Sequence, residues 1–350
     1  MIPISVCIIT KNEAENLEKC LASLSPYPFE LVVVDTGSSD NSKEVAVQFT
    51  DRVFDFTWCD DFSAARNFAA SCATHDFILP IDTDETVTAL DWEELQRAME
   101  QHPKSVGYVK RLDYYEAESG IQCMNVMIER LYNKKHYHFK EPIHEQLNPI
   151  SEVSYTYYET SVVIDHSGYL GNPEQLRQKA QRNLELLKKE LEKDPDNPYL
   201  YFQIAQSYML MRDHESACEY MREAILRNPP PQNAYTRELV CNYGNLLIDF
   251  QRPQEALPLL SYYEHYSDNM DYLCMIGLVL MHIGQPLRAL PEFVKAITAP
   301  SRDSIDPQRP SYYVGYLYEF FGKPEIARIH YQNCGNYPPA VEALDRLNGT

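Results

Sequence analysis

The chain has 350 residues, of which 44% are hydrophobic and 23% are charged. This length is enough for two domains with substantial cores. Its 51 acidic residues exceed its 31 basic ones and give a formal net charge of -20. Nucleic acids and anionic membranes attract basic surfaces, so this charge argues against either as a main partner.

Nine cysteines are scattered along the chain, and none of them forms a C-x-x-C pair. Such a pattern predicts reduced cysteines and a cytoplasmic location. The first residues enter an apolar segment without the basic start of a signal peptide. Since no run of about 18 apolar residues occurs, we expect no membrane span.

Short apolar strands alternate with amphipathic helices in the first half of the chain. Strands are predicted at residues 4–10, 31–34, 52–56 and 77–81, and helices at residues 13–24, 41–49 and 61–73. This alternation predicts an α/β domain with a mostly parallel sheet. Ligands of such sheets bind beyond the carboxyl ends of the strands, where Thr10, Asp35 and Asp82 fall. The loop after the first strand lacks glycine, which excludes a dinucleotide-binding G-x-G-x-x-G site.

Asp82-Thr83-Asp84 closes the buried strand at residues 77–81. Two carboxylates one residue apart need water, a cation or a basic partner, because an isolated buried charge is very costly. A magnesium ion that is held by one or two carboxylates and by substrate phosphates meets this need. The pair therefore predicts a nucleotide-diphosphate site, with a solvated acidic turn as the alternative.

After Asp91 the pattern loosens. Strands are predicted at residues 106–112, 123–131 and 155–164, partly antiparallel, followed by a helix at residues 173–191 with Asn172 as its cap. We place the first domain at residues 1–172, a linker helix at residues 173–197 and a second domain at residues 198–350.

The second domain contains an internal repeat. Four small residues are each followed twelve positions later by alanine, in the pairs Ala205 and Ala217, Gly244 and Ala256, Gly277 and Ala289, and Gly315 and Ala327. This offset resembles the helix-turn-helix pattern of tetratricopeptide repeats, in which small residues let two helices pack closely. About four stacked copies would share one core and present a concave face to a partner.

Several motifs of the first domain together resemble one enzyme family. They lie at residues 8–13, 33–40, 60–67, 82–85, 143–146 and 166–169. They are similar to family 2 inverting glycosyltransferases of the GT-A fold, in the branch that also carries tetratricopeptide repeats. Enzymes that attach a sugar to a cysteine or serine of a bacteriocin peptide share this layout.

The resemblance implies roles for particular residues in binding a nucleotide-sugar donor. Those residues are Thr10, Asn12, Glu13, Asp35, Arg66, Asp82 and Thr83. Thr10 and Asp35 would contact the base and the ribose, and Arg66 the nucleotide. Glu13 would either face the site or begin the first helix.

The resemblance also implies a divalent metal, Mn²⁺ or Mg²⁺. Asp84 would bind it, Asp82 would bind the metal or the ribose, and His166 could complete the metal shell. Imidazole ligation would favour manganese, since magnesium prefers oxygen. A histidine bonded in the core, or one that grips the acceptor, is the alternative for His166.

Inversion needs a general base that takes the acceptor proton. Glu145 is the first candidate and Asp113 the second, while His144 would orient the base or bind the sugar. The alternative for Glu145 is a loop ion pair with Lys140 or Arg130.

Three functions remain open from the sequence. The first is an inverting, metal-dependent glycosyltransferase that uses a nucleotide-diphosphate sugar, with uridine as the expected nucleoside. Its repeats would hold a peptide or protein acceptor, or would form a homodimer. The second is a repeat-based adaptor whose transferase domain is inactive. The third is a transferase for surface polysaccharide or lipid-linked sugars.

Overall fold

The computed structural model describes residues 2–117, 120–151, 155–169, 173–300 and 306–348. It divides into two compact units, Met1–Leu186 and Leu187–Thr350. The division falls inside the predicted linker helix. Asn172, the predicted cap of that helix, lies outside the described residues. Over the described residues, no helix combines the length and the apolar character that crossing a bilayer requires.

The elements of the first unit follow the predicted alternation. They are β1 (Ile4–Thr10), α1 (Ala14–Leu24), β2 (Glu30–Asp35), α2 (Ser42–Ala46), β3 (Val53–Asp55), α3 (Phe62–Cys72), β4 (Phe77–Pro80), β5 (Glu85–Ala89), α4 (Trp92–Gln101), β6 (Val106–Ala117), β7 (Gly120–Asn133), β8 (Tyr137–Lys140), β9 (Gln146–Pro149), β10 (Tyr157–Tyr169) and the start of α5 (Pro173–Lys193).

The main sheet has the strand order β3-β2-β1-β4-β7-β6-β10-β5. Strand β1 runs parallel to β2 and β4, β2 runs parallel to β3, and β6 runs parallel to β10. Strand β7 is antiparallel to both β4 and β6, and β5 is antiparallel to β10. The predicted α/β domain with a mostly parallel sheet is therefore confirmed, and β7 inserts an antiparallel strand at its centre.

Apolar side chains bury both faces of this sheet. Ile8 of β1 packs in one cluster with Leu17 and Leu21 of α1, whereas its neighbour Cys7 belongs to a second cluster with Ala69 of α3. Successive residues of a strand point to opposite faces, so a continuous apolar run such as β1 can serve two layers of helices.

Some predicted boundaries are wrong. Helix α2 ends at Ala46, three residues short of the prediction. The N–H groups of Gln48 and Phe49 donate to the carbonyls three residues back, of Val45 and Ala46, as in a 3₁₀ turn. Helix α4 was not predicted, although Asp91 caps it by accepting a bond from the Glu94 N–H at 2.9 Å. The short strands β5, β8 and β9 were missed as well.

The second unit is helical. Beyond the end of α5 its elements are α6 (Pro198–Leu210), α7 (His214–Leu226), α8 (Ala234–Asp249), a 3₁₀ helix (Pro253–Tyr262), α9 (Tyr263–Tyr266), α10 (Met270–His282), α11 (Pro286–Thr298), α12 (Arg309–Phe320), α13 (Pro324–Gln332) and α14 (Pro338–Asn348). The predicted helix pairs form. Among the described residues, the second pair is the one whose second helix is a 3₁₀ helix.

The small residues of the repeat mark close contacts between helices. A Cβ atom on Gly277 of α10 would lie 2.6 Å from the ring of Phe293 in α11. A Cβ atom on Gly315 of α12 would lie 2.7 Å from the ring of Tyr331 in α13. Gly244 instead meets Met275 of the next pair. Glycine at positions 277 and 315 lets a large ring fill the space between two helices.

We expect Gly277→Ala to lower the free energy of unfolding by about 1–3 kcal/mol, because the fully buried Phe293 ring has little room to move. Gly244→Ala is the comparison and should cost less, since the unbranched side chain of Met275, although buried, changes rotamer more readily than a ring. Urea unfolding followed by circular dichroism measures both. A Gly277→Ala variant as stable as the wild type would contradict the packing argument.

Candidate active site

The candidate site lies at the carboxyl ends of β1, β2 and β4. Thr10 and Asp35 are paired in the β1–β2 register and end their strands side by side. The Asp35 carboxylate is 1% exposed and accepts two bonds from the Ser38 N–H, at 2.9 and 3.1 Å. The hydroxyl of Thr10 is buried and has no hydrogen-bond partner among the described residues. A buried hydroxyl needs a hydrogen-bond partner, which a ligand or a water molecule at the strand ends can supply.

Asn12 and Glu13 form the loop after β1. Asn12 adopts a left-handed backbone with φ 55°, and its side-chain oxygen accepts a bond from the Ser39 N–H at 2.7 Å. This bond ties the loop to the turn after β2. Glu13 precedes α1 and accepts a bond from the Asn16 amide at 2.7 Å, so the structure gives Glu13 the helix-starting position.

We define the crevice beyond these strand ends by Arg66 of α3, which is 7% exposed, and its partners Asp82 and Glu145. Its Nη2 lies 2.7 Å from Asp82 Oδ1, and its Nε lies 2.5 Å from Glu145 Oε1. Its Nη1 is buried without a hydrogen-bond partner among the described residues. An arginine that is held at two corners and leaves its third nitrogen unsatisfied is poised to donate to an anion.

Helix α3 also positions Glu145. Asn67 exchanges two bonds of 2.9 Å with the backbone of Phe139 in β8, and the Phe62 N–H donates to the Pro142 carbonyl at 2.8 Å. These bonds hold the segment after β8 against α3 and bring Glu145 to Arg66. The ion pair predicted as an alternative for Glu145 does form, but its partner is Arg66 and neither Lys140 nor Arg130.

His144 stands beside Glu145 in a left-handed backbone conformation with φ 55°. Burial lowers the pKa of the His144 imidazole, and the Glu145 carboxylate opposes this shift only in part. The imidazole is therefore neutral at pH 7 and can either accept or donate a hydrogen bond.

Ten side chains form a charge network that runs through the crevice. In order of contact they are Glu145, Arg66, Asp82, Arg130, Glu85, Arg111, Asp113, His166, Asp84 and Lys179. Acidic and basic groups alternate along almost the whole network, so each charge faces opposite charges. Buried charges persist only when they are paired in this way.

Arg130 of β7 holds the middle of the charge network. Its Nη2 lies 3.0 Å from Asp82 Oδ2 and 2.9 Å from Glu85 Oε1. Burial acts to raise the pKa of Asp82, but Arg66 and Arg130 hold the pKa of that carboxyl well below its usual range. Burial raises the pKa of Glu85, which is completely buried, and Arg130 opposes this shift.

The far end of the charge network is built by strand register. On β10, His166 is the register partner of Glu85 on β5 and of Asp113 on β6. The His166 Nδ1 lies 2.8 Å from Asp113 Oδ1, and its Nε2 lies 3.5 Å from Asp84 Oδ2. Burial lowers the pKa of His166, but Asp84 outweighs this and leaves the pKa raised.

The predicted metal ligands do not form one cluster. Among the described residues, no group of three or more histidine, cysteine, aspartate or glutamate side chains is placed to hold a metal. Both oxygens of Asp82 accept bonds from arginines, whereas Asp84 and His166 face each other. Thr83 lies in the turn between Asp82 and Glu85, which the Glu85 N–H closes on the Asp82 carbonyl at 3.1 Å.

Sequence reasoning missed roles for four members of the charge network: Arg111, Arg130, Glu85 and Lys179. Arg130 stands next to Leu131 near the end of a long strand, where a charged residue beside buried apolar ones signals an internal ion pair. Asp113, predicted as a second base, is 2% exposed and is bonded to Arg111 at 2.9 Å as well as to His166.

Comparison with known proteins supports the assignment of both units. Residues 5–151 match the family model of glycosyl transferase family 2, and residues 198–231 match that of a tetratricopeptide repeat. A TPR repeat-containing protein of Synechococcus elongatus is 30% identical over 272 residues, which are 73% of this chain and 66% of that protein. The SPbeta prophage-derived glycosyltransferase SunS of Bacillus subtilis is 26% identical over 222 residues, which are 62% of this chain and 52% of that protein.

The chain thus spans about two thirds of the first relative and about half of the second. Among solved structures, YrrB, a TPR protein with an unusual peptide-binding site, is 19% identical and has a TM-score of 0.42 over 51% of this chain and 89% of its own. At that score the likeness supports no statement about ligands. The two family matches confirm the resemblance that the sequence motifs predicted.

We expect Arg130→Met to lower the free energy of unfolding by about 3 kcal/mol at pH 7, because it removes a partner from the buried Glu85. Arg222→Met, which breaks an exposed pair with Glu223, is the control and should cost less than about 1 kcal/mol.

The loss in Arg130→Met should depend on pH. Burial already raises the pKa of Glu85, and losing Arg130 raises it further. The stability that protonated Glu85 contributes is present below its unfolded pKa of about 4.3 and is lost as the pH rises through the folded pKa. Urea unfolding at pH 5 and pH 7 should therefore show the smaller deficit at pH 5. A deficit that does not change with pH would exclude Glu85 as the cause.

Proposed function

On the premise that this chain carries a glycosyl transferase family 2 domain followed by tetratricopeptide repeats, we propose that it is an inverting, metal-dependent glycosyltransferase. Its donor is a nucleoside-diphosphate sugar, with uridine as the first nucleoside to test, and its acceptor is a peptide or protein side chain. The observation that carries the proposal is Arg66, whose buried Nη1 lacks a partner among the described residues beside Asp82 and Glu145.

Two unsatisfied groups support a donor in this crevice. The buried hydroxyl of Thr10 lies next to Asp35 at the ends of β1 and β2, where the base and ribose would bind. Arg66 would donate Nη1 to a phosphate oxygen while its other nitrogens stay on Asp82 and Glu145. Because these ion pairs fix the guanidinium in advance, little is lost in orienting it when the donor arrives.

Asp84 and His166 are the two residues that would hold a divalent metal. Asp84 offers a carboxylate oxygen, and His166 faces it with Nε2 while Asp113 holds Nδ1. A carboxylate behind a ligating histidine is the usual arrangement around a metal, because it fixes the imidazole tautomer. When bound, the metal supplies Lewis-acid stabilisation of the diphosphate leaving group. Asp82, whose two oxygens are paired with arginines, orients Arg66 instead.

Glu145 is the proposed general base. Arg66 engages Oε1, and Oε2 has no hydrogen-bond partner among the described residues, so it is available for the acceptor proton. The ion pair also fixes the direction in which the carboxylate points. His144, neutral at pH 7, is suited to hold a hydroxyl of the transferred sugar. Asp113 would act as a positioning residue for His166 and not as a base.

Recruitment of the acceptor is the proposed role of the repeat unit. Stacked helix pairs present a face on which an extended peptide can lie. Holding an acceptor on the same chain as the transferase domain raises its effective concentration at the reacting centre.

We expect Asp84→Asn to reduce donor hydrolysis at least about 100-fold in the presence of Mn²⁺, because the amide loses the charge that holds the metal. Its fold should be kept, since Asn is isosteric with Asp. Asp76→Asn, at an exposed pair with Lys135, is the matched control and should hydrolyse the donor at the wild-type rate. The assay is a panel of uridine-diphosphate sugars incubated with and without Mn²⁺.

Thermal shift on the same panel provides an independent readout, because a bound donor stabilises the folded state. A wild-type chain that is neither stabilised by any nucleoside-diphosphate sugar nor able to hydrolyse one would refute the proposed function.

A further inference from the structure

Helix α5 brings a lysine to the candidate metal carboxylate. The Lys179 Nζ lies 3.2 Å from Asp84 Oδ2, the same oxygen that faces His166. The Lys179 side chain is 51% exposed, whereas that of Asp84 is 19% exposed. Within the described part of the chain, Asp84 is the one carboxylate in ion-pair contact with Lys179. Lys179 is therefore the more exposed partner in this pair.

A second cation one turn later anchors the same helix face. The Arg182 guanidinium lies 5.4 Å from the centre of the Phe62 ring at the start of α3. Burial lowers the pKa of Arg182, while the nearby Glu13 carboxylate acts to raise it. Asp84 follows β4 and Phe62 begins α3, so α5 contacts the site at two points.

The other carboxylates of the charge network do not need Lys179. Asp82 is paired with Arg66 and Arg130, and Asp113 is paired with Arg111 and His166. Lys179 adds a positive charge at one end of the network, beside Asp84. A lysine ammonium on a flexible four-carbon stem can exchange one oxygen anion for another at little cost.

We propose that Lys179 is a donor-binding residue, which transfers its ammonium from Asp84 to the diphosphate of the bound donor. The inference rests on the proposed function. It adds a donor-contacting residue that the sequence motifs do not contain. In the free chain the ammonium neutralises Asp84. In the donor complex it binds a phosphate oxygen from the α5 side, and Arg66 binds from the α3 side. Two cations on the diphosphate stabilise the charge that grows as the sugar leaves.

The competing explanation is an ordinary surface ion pair. Exposed pairs contribute at most about 1 kcal/mol to stability and make no difference to a ligand they do not touch. The two explanations therefore differ in what happens to diphosphate affinity when the ammonium is removed.

The experiment compares uridine diphosphate with uridine by calorimetry on the full chain, in Mn²⁺ and in EDTA. Lys179→Met should weaken uridine diphosphate at least about tenfold, or 1.4 kcal/mol, and leave uridine within about twofold. Lys179→Arg, which keeps the charge, should stay within about threefold of the wild type for both ligands. Lys188→Met removes another lysine of α5, one that is bonded to Tyr208 at 2.9 Å, and should change neither affinity.

Three results would overturn the inference while the proposed function stands. In the first, Lys179→Met binds uridine diphosphate with unchanged affinity. In the second, it binds uridine diphosphate more tightly. In the third, its affinities for uridine and for uridine diphosphate fall by the same factor. An increase would mean that Lys179 only competes for Asp84. If the wild-type chain binds neither ligand, the proposed function itself fails.

Discussion

The sharing of one carboxylate, Asp82, between two arginines is the interaction on which the candidate site depends. Arg66 and Arg130 approach different oxygens of Asp82, from α3 and from β7. Each arginine has a second carboxylate partner, Glu145 or Glu85, so the contact extends in both directions. Few arrangements put so many charges in a crevice without a large desolvation cost, because each group must face an opposite charge at close range.

The same constraint explains how the site is kept ready for a ligand. A guanidinium that is fixed by two carboxylates cannot turn away, so its remaining nitrogen keeps one direction. Strand register does the same at the other end, where β10 sets His166 between Glu85 and Asp113. Rigid elements supply the charged groups, and the exposed Lys179 supplies the adaptable one. Such preorganisation is the usual source of electrostatic catalysis.

The antiparallel strand β7 is central to this arrangement. It lies between β4 and β6 and carries Arg130 into the gap between Asp82 and Glu85. The core of the repeat unit is instead stabilised by packing, since rings such as Phe293 fill the spaces beside glycine residues.

The sequence by itself determined the α/β alternation, the strand ends at Thr10, Asp35 and Asp82, and the repeat of small residues. These features are local, because periodicity, strand-end polarity and a fixed offset can be read without knowing which strands pair. Only the tertiary structure decided that Arg66 pairs with Glu145, that Arg130 bridges Asp82 and Glu85, and that Lys179 reaches Asp84. Those contacts join residues between 45 and 95 positions apart, and long-range pairing depends on sheet order and helix packing, which no local pattern encodes.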